Sequence, residues 1–190
     1  MTGGGQLDEA GSQMRQSNKV AILRGAEQVI REEGVTAVTF DSVAAATGLT
    51  RGGIIYHFPS REELIAAIHV HLAAQWEQVI EEECGKSAAE ATLHERLVAY
   101  IRACGHDAHR AEIAMFVEST TSEHQQPWID VMTRWTPRRD AEFPENLPDS
   151  VWLALLAADG LWFNVATSDP PIDPAVRTRL AEAIVGLLEQ

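Results

Sequence analysis

The tightest constraint on this chain lies between Thr39 and Leu64, where three helix-start signals and one stop are crowded together. Thr39 is placed as the N-cap of a short helix that carries Phe40, Val43 and Ala44 inward, and Gly48 stops it. Thr50 caps the next helix, with Leu49 and Ile54 at the spacing of a hydrophobic staple. Ser60-Arg61-Glu62-Glu63 then forms a capping box, Ser60 at N-cap and Glu63 at N3. Such punctuation leaves room only for two short helices joined by a tight turn, followed by the start of a third.

The flanking segments keep the helical period. Ile22, Leu23, Ala26, Val29 and Ile30 share one face of a helix beginning at Ser17 or Asn18 and stopped by Gly34. The helix opened by Ser60 continues through Leu64, Ile65, Ile68, Leu72, Trp76, Val79 and Ile80 to about Glu83. Five more are expected near 90–104, 107–121, 125–141, 149–167 and 174–189, with prolines near their ends or breaks. No run alternates as a strand does, so the predicted class is all-α with about nine helices. The expected division is a Gly-rich, disordered tail over 1–16, a helix-turn-helix domain over 17–61 with the motif itself at 39–58, and a helical body over 62–190.

Charge divides the chain at the same place. Residues 1–61 carry six basic and six acidic groups, so the formal net charge of −13 belongs wholly to residues 62–190. A neutral first part and a strongly acidic remainder suggest two separate jobs. Two cysteines, Cys84 and Cys104, share no spacing motif and favour a reducing compartment. The first residues contain no apolar stretch of signal-peptide type. The apolar run Val151–Ala158 is too short to span a bilayer and is followed by Asp159. The expectation is a soluble, cytoplasmic protein with no membrane partner.

Gly52 and Gly53 need a reason, because each glycine inside a helix costs about 1 kcal/mol relative to alanine. In the first turn of the second helix of a helix-turn-helix they would clear a path for a phosphate or base edge. The free N–H groups and positive dipole end at that turn favour phosphate as well. Arg51 is the long donor at the same tip and can reach guanine edges or phosphate. Tyr56 and His57, one turn on, offer O–H and N–H donors, and Arg61 offers another from the following helix. Arg24 and Arg31, on the supporting helix, read as a solvated face.

Thr39, Ala45-Ala46-Thr47-Gly48, Ile55-Tyr56-His57-Phe58 and Ser60 to Leu64, taken together, resemble the N-terminal domain of TetR-family (tetracycline-repressor-like) transcriptional regulators. The resemblance covers about a quarter of the chain and is specific as a combination. One departure is Ile55, where many relatives carry a tyrosine that touches phosphate, so Tyr56 takes that contact. The resemblance implies a homodimer on a palindromic operator, a helical ligand-binding body, and release from DNA when an effector binds. The DNA contacts expected on this basis are Thr39, Thr50, Arg51, Gly52, Gly53, Tyr56, His57 and Arg61.

In the body, Trp76, Met115, Phe116, Trp128, Met132, Trp135, Asp159 and Phe163 are the candidate lining of an effector pocket. Aromatic rings beside an excess of carboxylates, Asp159, Glu112 and Glu118 among them, fit an apolar or amphipathic effector, cationic sooner than anionic. The competing reading is that the acidity only confers solubility and keeps the body off the DNA backbone. The helix over Val151–Ala166 is apolar nearly all round, and the last one carries an apolar stripe, so a dimer interface is expected at Val151, Leu155, Gly160, Trp162, Leu180, Ile184, Leu187 and Leu188.

No metal or cofactor is expected: Cys104, His106 and His109 do not follow a zinc-ligand spacing. No nucleophile elbow, phosphate loop or dinucleotide fingerprint occurs, so an enzyme is not expected. The alternative that stays open is a small helical enzyme or ligand-binding protein with no DNA-binding role; a pure scaffold protein would not need the Arg51–Arg61 constellation.

Overall fold

The computed structural model describes residues 4–108, 110–120, 123–137 and 147–189, with side chains from residue 16 onward. Among these the chain is all-α: α1 (Gly4–Glu33), a 3-10 turn (Val35–Ala37), α2 (Phe40–Thr47), α3 (Arg51–His57), α4 (Arg61–Cys84), α5 (Leu93–Ala103), α6 (Arg110–Ser119), α7 (Gln126–Trp135), α8 (Asp149–Thr167), α9 (Pro174–Val185) and a closing 3-10 turn (Gly186–Glu189).

The chain divides into two compact units, the first ending at Ile68 inside α4. This is later than the boundary at 61, because Leu64, Ile65 and Ile68 of α4 are buried residues of the first unit. The core of that unit takes Ile22, Leu23, Ala26, Val29 and Ile30 from α1, Val43 from α2, Ile54 from α3, and Phe58 just beyond it. Local chemistry sets its boundaries. The Thr39 hydroxyl accepts from Ser42 N–H at 3.0 Å while the Ser42 hydroxyl accepts from Thr39 N–H at 2.9 Å, closing a capping box around the start of α2. Gly48 ends α2 at φ 70°, a left-handed conformation in which a Cβ would be strained, and its N–H reaches Ala44 O. The Thr50 hydroxyl accepts from Gly53 N–H at 3.1 Å and starts α3. α2 lies so close to α1 that a Cβ on Gly25 would collide with Thr47 Cγ2.

The second unit is built from the rest of α4 and α5 to α9. α8 packs on α5, α6 and α9, and α5 also packs on α7 and α9. α8 is long and apolar enough to cross a membrane by length and composition alone, contrary to the shorter run read from the sequence. Here it buries Ala154, Leu155, Ala158, Leu161, Val165 and Ala166 against its neighbours.

Five boundaries differ from the sequence reading, one being the sixth helix, which starts at Arg110 instead of near 107. α1 begins at Gly4, so the expected disordered tail over 1–16 is helical from that residue; after the glycines at 3–5, nothing before Glu33 breaks the helix. α5 starts at Leu93, where Thr92 and Glu95 form a reciprocal capping box. α7 stops at Trp135 because Thr136 turns extended ahead of Pro137. α9 ends at Val185 and tightens into the closing 3-10 turn. The ends expected for the sixth and seventh helices, at 121 and 141, lie outside the described residues.

Candidate nucleic-acid interface and ligand cavity

The first unit presents the N-terminal end of α3 to solvent. Thr50, Arg51 and Gly52 are exposed there, Thr39 is exposed at the start of α2, and the Tyr56 ring is 69% exposed. A tyrosine this bare is not a packing residue. No atom outside the local backbone lies within 4 Å of a Cβ built on Gly52, so nothing in the protein itself excludes a side chain there. A Cβ on Gly53 would crowd only the Thr50 hydroxyl, at 3.2 Å. His57 is half-buried and meets the Tyr56 ring edge-on, with centroids 5.2 Å apart.

Arg51 is not a free donor. Its Nη1 donates to both carboxylate oxygens of Asp41, at 2.9 and 2.6 Å. Arg61 is placed differently from the expectation too: its Nε donates to Val38 O at 2.8 Å and its Nη2 to Val35 O at 3.3 Å. Its guanidinium therefore ties the start of α4 to the 3-10 turn ahead of α2. Lys19 of α1, which the sequence reading did not single out, holds its Nζ 5.5 Å from the Phe58 ring centroid at the far end of α3. Its signal was only its place among the basic groups of the neutral segment.

The second unit contains a cavity of about 230 Å³ lined by Trp76, Tyr100, Ile113, Phe116, Val117, Trp128, Met132, Asp159, Trp162 and Phe163. Its rings brace one another. Trp162 lies 6.0 Å from Trp76 and 5.6 Å from Phe116, and Phe116 meets Trp128 edge-on at 5.6 Å. Val117 and Phe163, both more than half exposed, mark the mouth. Among the described residues Asp159 is the single carboxylate in the wall, and it accepts the Tyr100 hydroxyl at 2.6 Å. The Trp162 indole N–H is buried with no hydrogen-bond partner among the described residues.

Of the residues expected to line a pocket, Trp76, Phe116, Trp128, Met132, Asp159 and Phe163 do so. Met115 and Trp135 do not. Both are fully buried, and Trp135 Nε1 donates to Glu77 Oε1 at 3.1 Å. Arg134 forks the same Glu77 carboxylate, and together they hold its pKa below the ordinary range. Tyr100, Ile113, Val117 and Trp162 were missed as lining residues.

The residues expected at a dimer interface scatter. Leu155 is wholly internal, and Trp162 stands in the cavity wall. Val151, Gly160, Ile184, Leu187 and Leu188 are half-buried, and Leu180 is exposed. The apolar residues α8 does expose are Leu153, Leu156 and Phe163, which with Gly160 repeat at intervals of three and four and so share one face. Among the described residues no group of three or more His, Cys, Asp or Glu could hold a metal ion, and His109 lies outside them.

Comparison with known proteins follows the same two-part division. Residues 22–68 match the family described as bacterial regulatory proteins, tetR family, and residues 94–189 match the tetracyclin repressor-like C-terminal domain. The chain belongs to the TetR family. That family consists of DNA-binding transcriptional regulators rather than enzymes. The HTH-type transcriptional regulator TtgR of Pseudomonas putida is 34% identical over 65 residues, covering 30% of this chain and 31% of TtgR. The chain spans less than a third of the length of the curated relatives it matches. Among solved structures, a TetR-family transcriptional regulator from Rhodococcus sp. shares the fold at a TM-score of 0.67 and 16% identity, over 92% of this chain and all of the other. A transcriptional regulator from Saccharomonospora viridis, solved in complex with choline, does so at a TM-score of 0.64 and 19% identity, over 90% and 96%.

Proposed function

We propose that this TetR-family member is a cytoplasmic repressor that binds a palindromic operator as a homodimer and is released by a hydrophobic organic cation. The observation that carries the DNA-binding half is the exposed tip of α3, with Arg51, bare Gly52 and a 69%-exposed Tyr56 on one short helix. That is the arrangement by which a recognition helix enters the major groove with its N-terminal residues leading.

The cavity supports the class of effector. Aromatic faces attract a cation, and a carboxylate in a wall otherwise apolar adds a charge that an anionic ligand would meet as repulsion. The choline in the Saccharomonospora viridis structure is likewise an organic cation. The face formed by Leu153, Leu156, Gly160 and Phe163 supports self-association. α4 carries Trp76 in the cavity wall and Arg61 at its own first turn, so a ligand that shifts α4 changes what the first unit presents. It does so only by binding the released conformation more tightly than the DNA-bound one.

A duplex selected from a random pool by the full-length protein serves as the operator. Arg51→Ala should weaken it by about 1–3 kcal/mol and relax preference at one base pair. Tryptophan fluorescence should then change with tetraalkylammonium ions and lipophilic dye cations, which should also release the duplex. Asp159→Asn should lower their affinity by about tenfold or more. Release by acyl thioesters alone would overturn the cation assignment, and an unaffected duplex with Arg51→Ala would overturn the recognition helix.

A further inference from the structure

The cation at the tip of α3 arrives at DNA already held in place. Arg51 Nη1 is held by both Asp41 oxygens, at 2.9 and 2.6 Å, and the guanidinium carbon stands 5.9 Å from the centroid of the Phe40 ring. Phe40 and Asp41 are the first two residues of α2, which the Thr39–Ser42 capping box holds in register. The ion pair is exposed, with side-chain exposures of 58% for Arg51 and 72% for Asp41, so it adds little to folding stability. What it does fix is direction. With Nη1 committed, the Nε–H and Nη2–H fork has no partner among the described residues, and that fork matches the O6 and N7 acceptors of guanine.

We propose that Asp41 is a positioning residue for sequence readout: it fixes the Arg51 guanidinium so that its free fork meets one guanine, and it cancels the charge that would otherwise bind phosphate at any sequence. The proposal rests on reading α3 as the recognition helix. An unpaired arginine on a flexible stem pairs equally well with a phosphate, and phosphate contacts carry no sequence information directly. A carboxylate beside it penalises the phosphate pose by repulsion, while a neutral base edge incurs no such penalty. Asp41 therefore works by making the wrong contact worse as much as by making the right one better. Its place in the first turn of α2 also suits the helix dipole, a purely structural role that the test must separate.

The experiment compares the wild type with Asp41→Asn, Asp41→Glu, Arg51→Ala and the Asp41→Asn/Arg51→Ala double variant. The probes are the selected duplex, a copy with the Arg51-dependent base pair replaced, and a scrambled duplex, titrated from 50 to 200 mM salt. Asp41→Asn should strengthen binding to the scrambled duplex several-fold and leave the selected duplex unchanged or weaker. The specificity ratio should fall at least tenfold, with a salt dependence steeper by about one counterion per recognition helix. In the Arg51→Ala background Asp41→Asn should change the ratio no further, and Asp41→Glu should restore part of it. If Arg51→Ala relaxes the preference while Asp41→Asn leaves ratio and salt slope as in the wild type, Asp41 has only a structural role and the proposal falls. A further loss of specificity when Asp41→Asn is added to Arg51→Ala would mean that Asp41 reads a base itself, which overturns it as well. If Arg51→Ala has no effect at all, the recognition-helix reading fails instead.

Discussion

The Trp128 indole N–H donates to His69 Nδ1 across 3.1 Å of fully buried space, joining α7 to α4. An indole nitrogen only donates, so the neutral imidazole carries its proton on Nε2 and gives it to Glu118 Oε2 at 2.7 Å. Every polar edge of the ring is thus used by its neutral form.

The first prediction follows from that arrangement. Burial pushes the His69 pKa below 6.5; hydrogen bonding and charge from Glu118 on α6 oppose the shift, and His124, stacked 5.1 Å away, adds to it. A lowered folded-state pKa means that the unfolded chain binds the proton more readily. The His69 contribution is therefore complete above pH 6.5 and is lost as pH falls below it toward the folded-state pKa. Urea unfolding at pH 7.5 and 5.5 should show a loss of stability on acidification that is smaller in His69→Gln. An equal loss in the two proteins would remove His69 as its source.

Tyr56 supplies the second. Its ring is 69% exposed, so removing the hydroxyl should leave the thermal midpoint unchanged. Tyr56→Phe should weaken the selected and the scrambled duplex by the same factor, because a phosphate contact fixes register without reading bases. A change in base preference in this variant would assign Tyr56 to the groove floor instead.

What could be read from the sequence was whatever is decided locally. Thr39, Gly48 and Thr50 set their helix boundaries through hydrogen bonds and dihedrals within a few residues, and the structure has them as expected. Interactions that cross the fold were not legible. The Arg51–Asp41 pair joins residues ten apart across a turn, outside the helical spacings by which ion pairs are read from a sequence. Tyr100 entered the cavity wall because its hydroxyl meets Asp159, fifty-nine residues away. Residue type marked Met115 and Trp135 for an apolar interior, but it does not say whether the space they face is filled or empty.

That distinction yields the third prediction. Met115 has no exposed surface and is not part of the cavity wall, so Met115→Ala should cost about 2–5 kcal/mol of folding stability with ligand affinity unchanged. Met132 lines the cavity, so Met132→Ala should enlarge it at a smaller cost and alter which cations bind. The check is a paired measurement of thermal unfolding and of fluorescence titration with one lipophilic cation. If both variants lose stability alike and bind alike, the wall and the core have been told apart wrongly.

The last prediction concerns self-association, where the structure moves the expected face by one position along α8. Leu155 was named as an interface residue, yet it is fully buried within the unit, while its neighbour Leu156 is 54% exposed. Leu153, Leu156, Gly160 and Phe163 form one stripe, and a Cβ built on Gly160 would meet nothing within 4 Å, leaving room for a second helix to approach closely. A face this apolar is poorly suited to water, and an isologous partner presenting the same stripe would cover it. Leu156→Glu should therefore leave each chain folded, since the side chain already projects outward, and should convert the sedimenting species to a monomer of 20.9 kDa. Because two recognition helices must reach successive major grooves about 34–36 Å apart, the same variant should lose most of its affinity for a palindromic duplex. Leu155→Glu should fail differently, by unfolding, because it places a charge in a closed core. Wild-type protein that sediments as a monomer at micromolar concentration, or a Leu156→Glu variant that remains dimeric, would show that this stripe is not where two chains meet.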